Sequence, residues 1–234
     1  MISTLVCFAL KEEAAPFRKV AVRHPGGITL IVGIGRENAE KSIRGFLSGG
    51  GVPPELVLTC GFAGGLNPDL KIGDVVFDAE IFSGKSRGAE TQDKVNRETP
   101  HVVSHEKLLA AGAKPAKFFC ADRIATTVAE KKALRKLTGA DAVEMESAAI
   151  HAVCAERNIP CVTVRVISDT AHEDLPLDFN ALSKPDKRLE FGKLAWAIAK
   201  SPCKIGALMA LQKKTRFAAG QLAAVLNNVL AAQP

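Results

Sequence analysis

An α/β fold with a sheet covered on both faces is what this sequence predicts. Three observations predict it: short apolar runs rich in β-branched residues, helical stretches between them, and glycine or small-residue punctuation at the joins. The first run, Ser3 to Leu10, ends at Lys11, Glu12 and Glu13. Ile28 to Val32 is a second strand followed by Gly33 and Gly35, and Asn38 to Leu47 reads as a helix ending in Gly49-Gly50-Gly51. Leu56 to Thr59 is a third strand, running into a small-residue turn, Cys60-Gly61-Phe62-Ala63-Gly64-Gly65. Val75 to Phe77 is a fourth, after the turn residues Gly73 and Asp74, and the polar stretch Ser83 to Pro100 reads as a loop. Lys117 to Cys120 and Cys161 to Ile167 then read as strands, and Val128 to Leu137, Glu146 to Arg157 and Lys187 to Ala199 as helices. Near the end, Leu208, Leu211, Leu222, Val225, Leu226 and Val229 recur at three- and four-residue steps, the pattern of an amphipathic helix. Its apolar side has two readings, packing on the domain or a partner subunit, or lying on a membrane surface.

Composition bounds the answer. The chain has 234 residues, 47% apolar and 24% charged, which is globular rather than disordered or fibrous. Ile2 to Leu10 is too short to span a bilayer and lacks the basic flank of a signal peptide, so the expected location is cytoplasmic. Six cysteines (Cys7, Cys60, Cys120, Cys154, Cys161, Cys203) form no CxxC pair and read as reduced, buried thiols. The net charge of +6 is concentrated: Lys184 to Phe217 holds nine basic residues against two acidic ones, and no acid follows Glu190. The basic stretch has few interleaved aromatics, which argues against a nucleic-acid partner, while a solvated helix face or an anionic lipid surface both fit it.

Several motifs fail. Gly33-Ile34-Gly35 opens like a dinucleotide fingerprint, but Asn38 stands where the third glycine is needed for close packing. His101 and His105 have no HExxH context and no cysteines at zinc-ligand spacing, so no metal is expected. Neither GxSxG nor a Walker sequence occurs.

Four segments place acids or small residues beside apolar strands, where the sheet of an α/β fold opens its ligand cleft: Lys11-Glu12-Glu13, Gly61 to Gly65, Val143-Glu144-Met145-Glu146-Ser147 and Val164-Arg165-Val166-Ile167-Ser168-Asp169. Taken together, Ala9-Leu10-Lys11-Glu12-Glu13, Gly61-Phe62-Ala63-Gly64-Gly65-Leu66, Leu70 to Val76, Ala142 to Ala149 and Val164 to Asp169 resemble the nucleoside phosphorylase and nucleosidase superfamily, especially its 5′-methylthioadenosine/S-adenosylhomocysteine nucleosidase branch. The resemblance runs from about Val6 to Phe179. It implies a single-domain three-layer sandwich with a central mixed sheet at residues 1–200, to which the residue pattern adds a basic amphipathic helical extension at 201–234. It also implies cleavage of the N-ribosidic bond of a purine nucleoside. Carried over by position, Glu146 would hold the ribose hydroxyls and Met145 would lie against the sugar. Asp169, assisted by Ser168, would share a proton with purine N7, and Glu13 would order or deprotonate a water. Phe62, Ala63, Gly64 and Ile124 join the substrate-binding set. Arg165 reads equally as a substrate contact or as the ion partner that positions nearby acids.

The pattern departs from the family where Phe62 replaces a Ser or Thr that helps bind phosphate or water, and where Cys120-Ala121-Asp122-Arg123-Ile124-Ala125 lacks an aromatic that stacks on adenine. Water and phosphate, the latter as co-substrate, therefore both stand as attacking groups. Arg36 and Arg123 are the candidate phosphate partners, because a guanidinium grips an oxyanion with two parallel bonds. An apolar pocket together with a basic tail resembles the hopanoid-biosynthesis-associated phosphorylase branch, whose substrate is implied to be adenosylhopane. Two rivals stand beside it: a methylthioadenosine/S-adenosylhomocysteine or futalosine-type nucleosidase, and a non-catalytic nucleoside-binding or lipid-surface protein. The resemblance implies no cofactor, and a homo-oligomer whose partner subunit borders the site.

Overall fold

A computed structural model describes residues 3–21, 27–78, 103–182 and 204–231. The loop read at Ser83 to Pro100 and the helix read at Lys187 to Ala199 lie outside these residues. In chain order the elements are β1 (Thr4–Phe8), α1 (Lys11–Ala21), β2 (Gly27–Ile31), α2 (Arg36–Leu47), β3 (Leu56–Gly65), β4 (Val75–Asp78), α3 (His105–Ala110), β5 (Lys114–Ala116), β6 (Phe118–Cys120), α4 (Val128–Thr138), β7 (Ala142–Glu144), α5 (Ser147–Glu156), β8 (Cys161–Asp169) and α6 (Lys204–Ala231). The strands form one mixed sheet in the order β2-β1-β3-β8-β4-β5, with β7 pairing both β3 and β6. β1 is parallel to β2 and β3, and β3 to β8, whereas β4 runs antiparallel to β8.

Alternation along the central strands sorts side chains to two faces. Val6 and Phe8 of β1, Leu56 and Leu58 of β3, and Val164 and Val166 of β8 point to one face and pack with Ala14 and Phe17 of α1 and Leu222, Leu226 and Val229 of α6. Leu5, Cys7, Val57 and Cys161 point to the other, against Ala39 and Ile43 of α2 and Ile150, Val153 and Cys154 of α5. Each fully buried Leu, Val or Phe contributes about 1.5–3 kcal/mol by leaving water. The sheet is thus the middle of three layers. The C-terminal half of α6 is part of this core, since Ala218, Leu222, Val225, Leu226, Val229 and Leu230 are all buried in it.

One local reading is corrected, and the bounds of others are sharpened. The segment Cys60 to Gly65, expected as a turn, continues β3: it pairs with β8 from Cys60↔Val164 to Gly64↔Asp169, with a register shift at Ala63/Gly64. Its glycines serve close approach instead. Gly61 has φ 140°, and a Cβ there would come within 2.9 Å of both Arg165 Nη1 and the Glu13 carboxylate. Lys11-Glu12-Glu13 opens helix α1, where acids in the first turn face the unpaired amides of a helix start. Lys117 to Cys120, expected as a strand, is β6 at Phe118–Cys120, and the short β5 at Lys114–Ala116 before it was not expected. α5 begins at Ser147, with Glu146 at its N-cap in a non-helical conformation. That conformation frees the Glu146 side chain for the cleft. The five described cysteines are free and buried, while Cys203 lies outside the described residues.

Candidate active site

Three carboxylates and one guanidinium are gathered below a cleft of about 240 Å³ at the ends of β1, β3 and β8. Arg165 of β8 is almost fully buried. Its Nη2 donates to Glu144 Oε2 at 2.6 Å and to Thr59 Oγ1 at 3.1 Å, its Nη1 donates to the Cys60 carbonyl at 3.1 Å, and Glu146 Oε2 lies 3.4 Å from Nη2. Glu144 is further held by the Ser147 hydroxyl (2.6 Å) and by the Glu146 and Ser147 backbone amides (3.0 and 2.8 Å). Glu13, from the first turn of α1, accepts the Leu10 amide on Oε2 and the Phe62 amide on Oε1, both at 2.9 Å. Although the Phe62 side chain carries no hydroxyl, its backbone N–H orients Glu13. Glu146 Oε1 accepts the Gly35 amide at 2.8 Å, tying the cleft to the glycine turn after β2.

These carboxylates ionise differently although they surround one cation. Burial opposes ionisation of Glu144, but the Arg165 charge and the Ser147 donors outweigh it and hold the carboxyl below its ordinary value. For Glu13 burial wins over the Phe62 amide and Arg165, and the carboxyl lies above its ordinary value. Burial, opposed by Arg165 and reinforced by the Glu144 charge, pushes Glu146 from 4.5 up to about 7. Arg165 is itself held in its charged form, because Glu144, Glu146 and Glu13 together outweigh the cost of its burial.

The Glu146 shift carries a sign for stability. Folded Glu146 keeps its proton to higher pH than the unfolded chain does, so its stabilising contribution is full below pH 4.5 and is lost as pH rises towards about 7. Across that window the wild-type melting temperature is expected to fall relative to that of Glu146→Gln, whose amide does not titrate. Parallel melting curves from the two proteins would contradict the assignment.

At the other end of the cleft, Asp169 closes β8. Its Oδ1 accepts the Ser168 hydroxyl at 2.7 Å and its Oδ2 lies 2.6 Å from Lys131 Nζ. Gly64 packs tightly beside it, since a Cβ there would approach Asp169 Oδ2 to 3.3 Å and Val143 Cγ1 to 3.2 Å, so either side chain would have to shift. The walls are apolar: Met145, Val143, Ile124, Leu175, Phe179 and Leu211.

Glu13, Glu146, Asp169, Met145, Ser168, Phe62, Ala63, Gly64 and Ile124 all line this one cleft. Arg165 lies beneath it as the ion partner of its acids. The two candidate phosphate arginines are otherwise engaged. Arg36 pairs with Asp122 at 3.2 Å and donates to the Cys120 carbonyl at 2.5 Å, and Arg123, at the cleft wall, pairs with Glu130 at 2.6 Å. Among residues the sequence reading did not place in the site, Phe179 puts an aromatic ring in the wall, Leu211 and Thr215 bring α6 to the cleft, and Glu144 anchors Arg165. Glu144 was legible as the first acid of Val143 to Ser147; nothing in the local sequence marks Phe179 or Lys131.

The sequence matches the phosphorylase superfamily over residues 18–200. The chain belongs to that superfamily. Among its relatives, the aminodeoxyfutalosine nucleosidase of Campylobacter jejuni is 30% identical over 145 residues, 54% of this chain and 61% of the relative. The 5′-methylthioadenosine/S-adenosylhomocysteine nucleosidase of Staphylococcus aureus strain MRSA252 is 30% identical over 200 residues, 74% of this chain and 85% of the relative. This phosphorylase-superfamily chain thus spans about three fifths of the length of the Campylobacter relative. Its fold matches that of futalosine hydrolase from Helicobacter pylori with a TM-score of 0.67 at 18% identity, covering 99% of this chain and 98% of that one. It also matches the 5′-methylthioadenosine/S-adenosylhomocysteine nucleosidase of Neisseria meningitidis, solved with methylthio-immucillin-A, with a TM-score of 0.66 at 20% identity over the whole of both chains.

Proposed function

We propose that the protein cleaves the N-ribosidic bond of an adenine-type nucleoside, with water as the attacking group. The observation that carries this reading is the convergence of Glu13, Glu146 and Asp169, distant along the chain, on one sugar-sized cleft. Breaking the bond leaves an oxocarbenium-like sugar and an electron-rich base. Carboxylates beside the sugar offset the positive charge, and an acid at the base assists its departure. In this reading Glu146 accepts hydrogen bonds from the ribose hydroxyls, Met145 packs on the sugar, and Glu13 takes a proton from the attacking water. Asp169, steadied by Ser168, gives its proton to purine N7, and Phe62, Ala63, Gly64 and Ile124 frame the substrate. Water is favoured over phosphate because the lining acids Glu13, Glu144, Glu146 and Asp169 would meet an anion, and both candidate phosphate arginines already have acidic partners. The names of the Campylobacter and Staphylococcus relatives, both nucleosidases, support the same reaction class.

The substrate we favour within this class carries a large apolar 5′ substituent, as adenosylhopane does in the hopanoid branch. Leu175, Phe179 and Leu211 offer an apolar wall for it. Beside that wall the start of α6 exposes Ile205 and Met209 (45% and 66%) among Lys204 and Lys213, a surface suited to contact with an anionic membrane from a cytoplasmic location. A homo-oligomer belongs to the same reading.

One panel tests it. Methylthioadenosine, S-adenosylhomocysteine, a futalosine and adenosylhopane are incubated with the protein, with and without phosphate, and the sugar product is identified. Free adenine with a free ribosyl product, at a rate indifferent to phosphate and highest for adenosylhopane, is the expected result. A ribosyl 1-phosphate formed only with phosphate would make it a phosphorylase, and faster methylthioadenosine cleavage would reverse the substrate order. Tight nucleoside binding with no base released would make it a silent binder.

A further inference from the structure

Among the described residues, Lys131 and Arg165 are the two charged side chains that stand with the largest fully buried ones. Lys131 belongs to α4, whose start is fastened by a capping box between Thr127 and Glu130 and by Asp174 Oδ1, which accepts the Val128 amide at 2.6 Å. Its ammonium donates to the Thr170 carbonyl at 2.7 Å and the Glu173 carbonyl at 2.9 Å, and pairs with Asp169 Oδ2 at 2.6 Å. An ammonium has three protons, so these three acceptors use all of them. None is left for a substrate, and Lys131 does not line the cleft. A buried cation is costly unless paired, and burying this one entirely against the residue that faces the base asks for a reason.

We infer that Lys131 is a positioning residue for base departure, acting through Asp169. The inference rests on the reading above that Asp169 faces the purine. In the step, Asp169, the ion partner of Lys131 in the free protein, takes up a proton from solvent as the nucleoside binds, and that proton moves to N7 while the C1′–N9 electron pair moves to the base. The negative charge left on the carboxylate then appears beside the Lys131 ammonium, a donor already in place and held out of water. With Ser168 on Oδ1 and Lys131 on Oδ2, the carboxyl plane is set from both sides. The same ammonium fastens the start of the segment 170–175, whose Leu175 forms part of the cleft wall. Lys214 of α6 pairs with the Glu173 carboxylate and braces that segment from the outside.

The test is a double-mutant cycle of Lys131→Met, Asp169→Asn and both together, assayed for base release on the nucleoside that the wild-type protein cleaves fastest, with melting temperatures recorded. Lys131→Met is expected to lower kcat about 10- to 100-fold while KM moves less than about threefold. The double variant is expected to be no slower than Asp169→Asn alone, because a residue acting through another adds nothing once that residue is gone. Losses that multiply in the double variant, or a Lys131→Met protein with wild-type kcat, overturn the inference. Wild-type turnover in Asp169→Asn would instead overturn the reading of Asp169, and the inference with it. A measurement on the unmutated protein guards against a misfolded variant. With lysine labelled by ¹⁵N, an ammonium resonance protected from exchange is expected to shift when adenine is added, and an unmoved resonance at saturating adenine counts against the role.

Discussion

Asp169→Asn is expected to lower kcat by about 10²–10⁴-fold, the range that a single general acid contributes. The substitution keeps the shape of the side chain. Its amide oxygen can still accept from Lys131, and the Ser168 hydroxyl can rotate, so the end of β8 and the segment it leads into should stay in place. What is lost is the proton for the departing base. The loss should therefore appear in kcat, with nucleoside affinity changed little and a melting temperature close to that of the wild type. Steady-state rates of adenine release, read beside a thermal melt, check both parts. A rate within a few-fold of wild type would show that the base leaves without help from this carboxyl.

Replacing Arg165 with Met should produce the largest loss of stability of any single substitution at the site. The guanidinium is 1% exposed and is the cation nearest Glu144, whose side chain is fully buried. Met fills similar volume but leaves the carboxylate without its counter-charge, held only by neutral donors, and removing one partner of a buried pair costs about 3–5 kcal/mol. Against a total stability of about 5–15 kcal/mol this is a large fraction. Denaturant titration should show an earlier midpoint, and Arg165→Lys should recover only part of it, since an ammonium cannot reach Glu144, Thr59 and the Cys60 carbonyl together. An unchanged midpoint in Arg165→Met would mean that Glu144 gives up its charge without penalty, and that Arg165 is there for substrate alone.

Much of the fold is legible in the residue pattern because it follows from local periodicity. β1, β2, β4 and β8 are short apolar runs, and α2, α4 and α5 carry helical spacing or caps, so the covered sheet follows from them. The errors fall where glycine has two meanings. Cys60 to Gly65 has the composition of a turn, yet it is strand, because its missing side chains make room for Asp169, Arg165 and Glu13 to approach the backbone. β7, only three residues long, has no room for a period to show and exists because it pairs with β3 and β6. The acids of the site were marked by position at strand ends and by family resemblance. The partners that make them usable were not. Arg36 and Arg123 read as free guanidiniums until Asp122 and Glu130 were found beside them.

Sequence alone put Glu13, Glu146 and Asp169 forward as the acids of the site, through their positions and a family resemblance, and it sufficed for the layered sheet, since alternation and helical spacing are properties of neighbours along the chain. Tertiary structure alone decided their ionisation and company: Glu146 raised and Glu144 lowered around one arginine, and Lys131 buried on Asp169. Lys131 looks no different along the chain from Lys132 and Arg135 near it. Burial and charge pairing depend on distances between residues tens of positions apart, and such distances come into being only when the sheet closes.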